Sequence, residues 1–77
     1  MASKWTRITF DPLVMGGRPC IRGLRVTVGT VLGLLAAGRS HAEILELYPY
    51  LQEDDIREAL AYAAWRVQEQ ELPLPAA

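Results

Sequence analysis

Gly16-Gly17-Arg18-Pro19-Cys20-Ile21-Arg22-Gly23-Leu24-Arg25-Val26-Thr27-Val28 decides how this chain is read, because turn formers, strand formers and positive charge alternate within one short stretch. Gly16 and Gly17 can take a positive φ without a Cβ clash, and Pro19 sets the backbone leading into Cys20-Ile21. Gly23 supplies a return turn into Arg25-Val26-Thr27-Val28. The pattern predicts a tight basic hairpin, with Ile21, Val26 and Val28 turned to a core and Arg18, Arg22 and Arg25 left in water. Arginines on an edge strand also discourage aggregation, so the same charges have a purely protective reading. Neither reading is catalytic.

Toward the N-terminus, residues 4–10 read as a first strand, with Trp5, Arg7 and Thr9 on one face and Thr6, Ile8 and Phe10 on the other. Asp11-Pro12 breaks it, and Leu13-Val14-Met15 is expected to plug one end of the core. Beyond the hairpin the period changes. A helix opens at Thr27 or Gly29 and runs through Ala37, with Val31, Leu34 and Leu35 as its buried stripe and Gly38 as a left-handed stop. Gly33 inside it costs about 1 kcal/mol against alanine, which points to a close backbone contact. Ser40-His41-Ala42-Glu43 is a capping box for a second helix over residues 41–47, burying Ile44 and Leu45 and stopped by Pro49.

Glu53-Asp54-Asp55 then places three carboxylates in the first turn of a third helix, where the dipole favours them, and that helix can run to about Glu71. Ile56, Ala59, Leu60, Ala63 and Val67 form its core stripe, while Ala61, Trp65 and Leu72 make a thinner second apolar face. Pro73 and Pro75 cannot continue it. The reading is therefore one domain over residues 1–71 and a loose tail over residues 72–77.

A chain of 77 residues buries only about 60 to 65% of its unfolded surface. Its hydrophobic fraction is nonetheless 51%, which leaves apolar surface for a second copy or another protein. The thin core and two-sided third helix together predict a homodimer. One cysteine allows no internal disulfide. No stretch has the length and apolarity of a signal or a membrane span, so a cytoplasmic protein is expected.

The net charge of −1 hides a split. Residues 1–39 hold Lys4, Arg7, Arg18, Arg22, Arg25 and Arg39 against Asp11 alone; from residue 40 onward Arg57 and Arg66 face eight carboxylates. A basic half suits phosphates and an acidic half suits something basic, or the two halves attract each other.

Helix, turn, short helix, connection and longer helix is the layout of a helix-turn-helix, and a preceding hairpin makes it winged-like. Glu53-Asp54-Asp55 at the start of the third helix would be repelled by phosphates. DNA contacts are therefore expected from the hairpin, Arg18, Arg22 and Arg25, and from the N-terminal arm, Lys4 and Arg7. Gly16-Gly17-Arg18 lacks the Lys-Ser or Lys-Thr of a P-loop, which rejects nucleotide binding. Cys20 has only His41 as a possible partner, too little for a catalytic nucleophile or a zinc site, so neither cofactor nor metal is expected; His41 is expected to face solvent. The carboxylates at 53 to 55 read as a solvated helix start. Trp65, with Leu72 and Leu74 of the tail, is the candidate anchor for a protein partner, the alternative being that Trp65 folds onto Trp5 or the first strand.

Ile8, Asp11-Pro12, Gly16-Gly17-Arg18-Pro19, Ile21, Gly23, Arg25-Val26, Val28, Gly38, Ser40, Glu43-Ile44-Leu45, Tyr48-Pro49, Leu51, Asp55-Ile56, Ala59-Leu60 and Tyr62-Ala63 together resemble the pattern of the domain of unknown function family 433, over residues 8–63. The resemblance implies a homeodomain-like trihelical domain with an N-terminal β-hairpin, an α+β protein that is mostly α. It also implies the role of a VapB-type antitoxin paired with a PIN-like ribonuclease toxin. Leu24 stands where the family usually has threonine, and Gln52 where it has threonine or serine, just where the third helix needs a cap. Gln52 is a poorer cap, so the helix start is expected to fray or to borrow a carboxylate from Asp54 or Asp55. The expected function is thus a non-enzymatic antitoxin of a type II toxin-antitoxin pair that also binds operator DNA as an autorepressor; the alternative is a protein-interaction module that never touches DNA.

Overall fold

Arg22 and Gly23 have φ of 45° and 72°, and the Leu24 N–H donates to the Ile21 carbonyl at 2.7 Å. Positive φ at both central residues marks a primed β-turn, and it lies within a four-residue hairpin loop, because Cys20 is paired with Thr27. Past this turn the Ile21 N–H donates to the Val26 carbonyl at 2.9 Å and the Val28 N–H to the Pro19 carbonyl at 2.9 Å. The hairpin expected from the glycines is present, in a computed structural model that describes residues 5–69.

Two strands frame it, β1 (Ile8–Thr9) and β2 (Cys20–Ile21), antiparallel with Ile8 opposite Ile21 and Thr9 opposite Cys20. Cys20 also bridges to Thr27 on its other side. The two residues of β2 are therefore paired along both edges. The first strand is shorter than its alternation predicts, because the Arg7 N–H is taken by the Glu58 carboxylate instead of a neighbouring strand. Between the strands, a 3₁₀ turn at Met15–Gly17 puts three consecutive residues at positive φ.

Leu13 corrects an expectation: it does not plug the core but is 90% exposed, with Val14 and Met15 half-buried. The cause is local. Asp11 accepts the Leu13 N–H on its carboxylate and the Val14 N–H on its carbonyl, both at 2.9 Å, and this turn throws the leucine outward.

Three helices follow. The first, α1 (Val28–Ala36), starts where the Thr27 hydroxyl accepts the Thr30 N–H at 3.0 Å. It buries Val28 and Val31, and Leu34 and Leu35 are partly buried against the core. Its end is a Schellman motif around Gly38, φ 92°, with the Arg39 and Gly38 N–H groups donating to the Leu34 and Leu35 carbonyls at 3.0 Å. Gly33 is not explained by a close contact: a Cβ there would meet nothing within 4 Å. The second helix, α2 (His41–Leu47), has both halves of its capping box, Glu43 N–H to Ser40 Oγ at 3.1 Å and Ser40 N–H to the Glu43 carboxylate at 2.8 Å.

The third, α3 (Glu53–Glu69), buries Ile56 and Ala59 but leaves Leu60 and Val67 exposed, against the predicted stripe. Leu60, next to the fully buried Ala59, lies at the edge of the buried stripe, and length explains Val67. α3 has 17 residues where α1 has 9 and α2 has 7, and at about 1.5 Å per residue its second half outruns the helices that could cover it. The core is Ile8, Ile21, Val26, Val28, Val31, Ile44, Leu51, Ile56 and Ala59, drawn from both strands, the hairpin return and all three helices. The architecture is α+β and mostly helical, three helices with an antiparallel strand pair at the N-terminal side. Among the described residues no helix is long and apolar enough to cross a membrane. Residues 72–77, the expected tail, lie outside the described residues.

Candidate functional site

Asp55 sits in the first turn of α3, where its Oδ2 accepts the Gln52 N–H at 2.8 Å while its own N–H donates to the Gln52 carbonyl at 2.9 Å. The carboxylate that a weak cap was expected to borrow is therefore this one. Its side chain is only 1% exposed, so it is no solvated helix start. Two arginines from the other half of the chain reach it. Arg7, flanking β1, donates from Nη1 to Oδ1 at 2.8 Å. Arg22, at the hairpin turn, donates from Nε to Oδ1 at 3.1 Å and from Nη2 to Oδ2 at 3.1 Å, a two-toothed grip on the carboxylate.

Each guanidinium has further acceptors. Arg22 Nη2 donates to the Tyr50 carbonyl at 2.7 Å, and Arg7 Nη1 to the Gln52 side-chain oxygen at 2.8 Å, with Asp54 3.7 Å from Arg7 Nη2. Burial pushes the Asp55 carboxyl up, but the donors from Arg22, Arg7 and the Gln52 amide outweigh it and hold the acid below the ordinary aspartate value. The same hydrogen bond raises the Arg7 guanidinium. The expectation that Arg22 stands free in water is thereby corrected, for the left-handed turn aims its side chain inward to Asp55.

Of the basic residues assigned to DNA, the structure brings Arg7 and Arg22 together on one carboxylate and leaves Arg18 and Arg25 exposed. Arg18 borders a shallow depression with Pro19, Thr27, Gly29 and Thr30 at the start of α1. Lys4 lies outside the described residues. Glu53 and Asp54 are exposed as expected. His41 has its side chain 40% exposed, as expected of a solvent-facing residue, and it is also bonded to the Glu53 carboxylate, which ties the start of α2 to the start of α3. Cys20 is a buried free thiol.

Trp65 of the candidate partner surface is half-buried. Its ring lies 5.9 Å from that of Trp5 and 6.0 Å from that of Tyr62, while Trp5 meets Tyr62 edge-on at 5.5 Å and Phe10 approaches Tyr62 at 6.0 Å. This aromatic row fastens the N-terminal arm along α3. Leu72 and Leu74 lie outside the described residues. Large apolar side chains that do stand in water are Phe10, Leu13, Leu47, Tyr50, Leu60 and Val67. Among the described residues no group of three His, Cys, Asp or Glu side chains is placed to hold a metal ion.

Sequence reasoning missed the clamp on Asp55, although two signals for it were present: the positive-φ turn at Arg22-Gly23 and the acid three residues after Gln52. Neither says that the two meet.

Residues 8–63 match the model of a family described as Protein of unknown function (DUF433). The uncharacterized protein y4eO of Sinorhizobium fredii (strain NBRC 101917 / NGR234) is 43% identical over 56 residues, which make up 73% of this chain and 25% of that protein. The matched part of the chain thus spans about a quarter of the length of the curated relative. No solved structure matches.

Proposed function

We propose, from the premise that the chain belongs to the DUF433 family, that it is a non-enzymatic binding module: the cytoplasmic antitoxin of a type II toxin-antitoxin pair. In this reading it neutralises a PIN-like ribonuclease toxin, binds operator DNA as an autorepressor and acts as a homodimer. The observation that carries the binding reading is the exposed apolar pair one heptad apart on α3, Leu60 and the 71% exposed Val67. A short chain that leaves such side chains in water gains most from a partner that covers them. The antitoxin role comes from the family resemblance. Trp65, Leu72 and Leu74 keep in this reading the toxin contact that the sequence suggests for them.

The test is inhibition of RNA cleavage by a PIN-like ribonuclease encoded beside this gene. The wild-type chain is expected to block it at a fixed stoichiometry. The double variant Leu60→Asp with Val67→Asp is expected to lose at least about tenfold in affinity, since two apolar contacts are replaced by charges, while keeping its circular dichroism. Undiminished RNA cleavage beside excess wild-type chain sinks the antitoxin reading.

DNA contacts in this reading are made by Arg18 and Arg25, with Lys4 as the arm residue, because Arg7 and Arg22 are engaged by Asp55. Each phosphate contact adds nearly one unit to the salt slope, so Arg18→Ala with Arg25→Ala is expected to lower it by about 2 per protomer. The sequestration of Arg7 and Arg22 also favours a second reading, a protein-interaction module that inhibits or scaffolds an enzyme without binding DNA. Absence of salt-dependent binding to its own promoter fragment selects that one.

A further inference from the structure

Leu60 and Val67 belong to a longer row on α3. Arg57, Leu60, Ala64 and Val67 follow one another at steps of three, four and three, which keeps them in one line along the helix, and all of them are exposed. Beside the row Ala61 is exposed and Ala63 half-buried. Residues at i, i+3, i+4 and i+7 are the corners of a hole that a side chain of a facing helix can enter. The row makes two such holes in succession, one cornered by Arg57, Leu60, Ala61 and Ala64, the next by Leu60, Ala63, Ala64 and Val67. Each has two alanine corners, which makes it deep. All corners of the first hole are exposed, so no described residue fills it.

Arg57 adds a sign to this face. Its exposed guanidinium makes no ion pair with any described residue, whereas Arg7, Arg22 and Arg39 each meet a carboxylate. The face therefore offers two apolar holes with an uncompensated cation at the corner of the first.

We propose that this face takes a helix of the partner protein, laid along the row, with two of its apolar side chains seated in the holes and a carboxylate of the same helix paired to Arg57. The spacing selects a helix: successive holes are about 5 Å apart, in step with a 3.5-residue repeat, whereas side chains on one face of a strand recur at about 6.6 Å. The charge selects a partner other than a second copy. Two parallel α3 helices would set Arg57 on Arg57, and the antiparallel register that seats Leu60 against Ala64 sets Arg57 opposite Val67, so neither puts a carboxylate opposite the guanidinium. The inference rests on the antitoxin reading above and says which element of the toxin covers the exposed pair.

The experiment measures inhibition of the PIN-like ribonuclease encoded beside this gene by the full chain and two variants. Ala64→Leu adds apolar area to the face yet fills a corner shared by both holes, at an exposed position where leucine is nearly as good a helix former as alanine. It is expected to weaken inhibition by about tenfold or more with unchanged circular dichroism, whereas a flat apolar contact would gain from the added area. Arg57→Ala is expected to weaken inhibition about threefold at about 50 mM salt and hardly at all at about 500 mM, because salt screens an exposed pair. Inhibition that Ala64→Leu leaves intact or improves, or an Arg57→Ala loss that does not shrink with salt, overturns the seated helix and leaves the antitoxin reading standing. So does sedimentation equilibrium showing a dimer of the chain alone that Ala64→Leu dissociates, since a second copy then covers the face. A ribonuclease that the wild-type chain does not inhibit overturns both.

Discussion

The two halves of α3 are built on opposite rules. Its first half puts a carboxylate, Asp55, inside and covers it with arginines, and it packs Ile56 and Ala59 against the core with no exposure at all. Its second half puts Val67 outside and makes its main contacts through aromatic edges, Tyr62 and Trp65 on Trp5. A rule that sorts side chains by polarity alone fails at both ends. What decides burial is how many neighbours reach each turn: β1, the hairpin, α1 and α2 converge on the first half, and mainly the N-terminal arm accompanies the second. The first half holds the fold, and the second adds less to it.

Substitution at the core breaks the comparison most sharply. Ile56→Ala removes a fully buried side chain and is expected to cost about 3 kcal/mol, within the usual range for such cavities. Chemical denaturation measures it. A loss below about 1 kcal/mol at this position would mean that the first half is not where stability resides.

Asp55→Asn comes next. It keeps the shape and some hydrogen bonds but strips the counter-charge from Arg7 and Arg22, and because both guanidinium groups remain partly exposed the cost is expected at about 2 kcal/mol, below that of a fully buried pair. The same group sets a pH response. Asp55 titrates below the ordinary aspartate value in the folded chain, so its stabilisation is present above that ordinary value, near about 4, and is lost as the pH falls toward its lowered value. Thermal melts from neutral to acid pH are expected to show wild type falling faster than Asp55→Asn, with the two curves converging in acid. Parallel curves would remove Asp55 from the account.

The smallest effect belongs to the far half. Val67→Gln, at a position 71% exposed, is expected to change stability by no more than about 0.5 kcal/mol in the isolated chain. A large loss in the monomer would show that this turn is already covered.

Much of the fold was legible because its signals are short-range. The Ser40 and Glu43 capping box, Gly38 as the stop of α1, and Gly23 in a primed turn each involve residues a few positions apart, and each is present as the local rule requires. The errors lie where a local pattern needs a distant fact. The periodicity of α3 names the correct face at Ile56 and Ala59 but cannot tell that α1 and α2 are too short to cover Val67. The placement of Arg22 failed similarly: its charge and its turn were visible, while its acceptor lies 33 residues away on another element. The exposure of Leu13 was readable in principle, since Asp11-Pro12 is a strong turn signal and a tight turn cannot also plug a core.

The separations in the Asp55 clamp, 33 residues to Arg22 and 48 to Arg7, bear on the order of assembly. Helices and a short-looped hairpin form within about microseconds, whereas a contact across tens of residues meets its loop-closure entropy before it gains anything. The clamp is therefore expected late, after the hairpin and α3 have formed separately, and outside the rate-limiting step, which refolding kinetics of Asp55→Asn would test. Asp55→Asn would leave the refolding rate nearly untouched and place its whole effect on unfolding, so that the ion cluster sets how long the folded chain persists and not how quickly it forms.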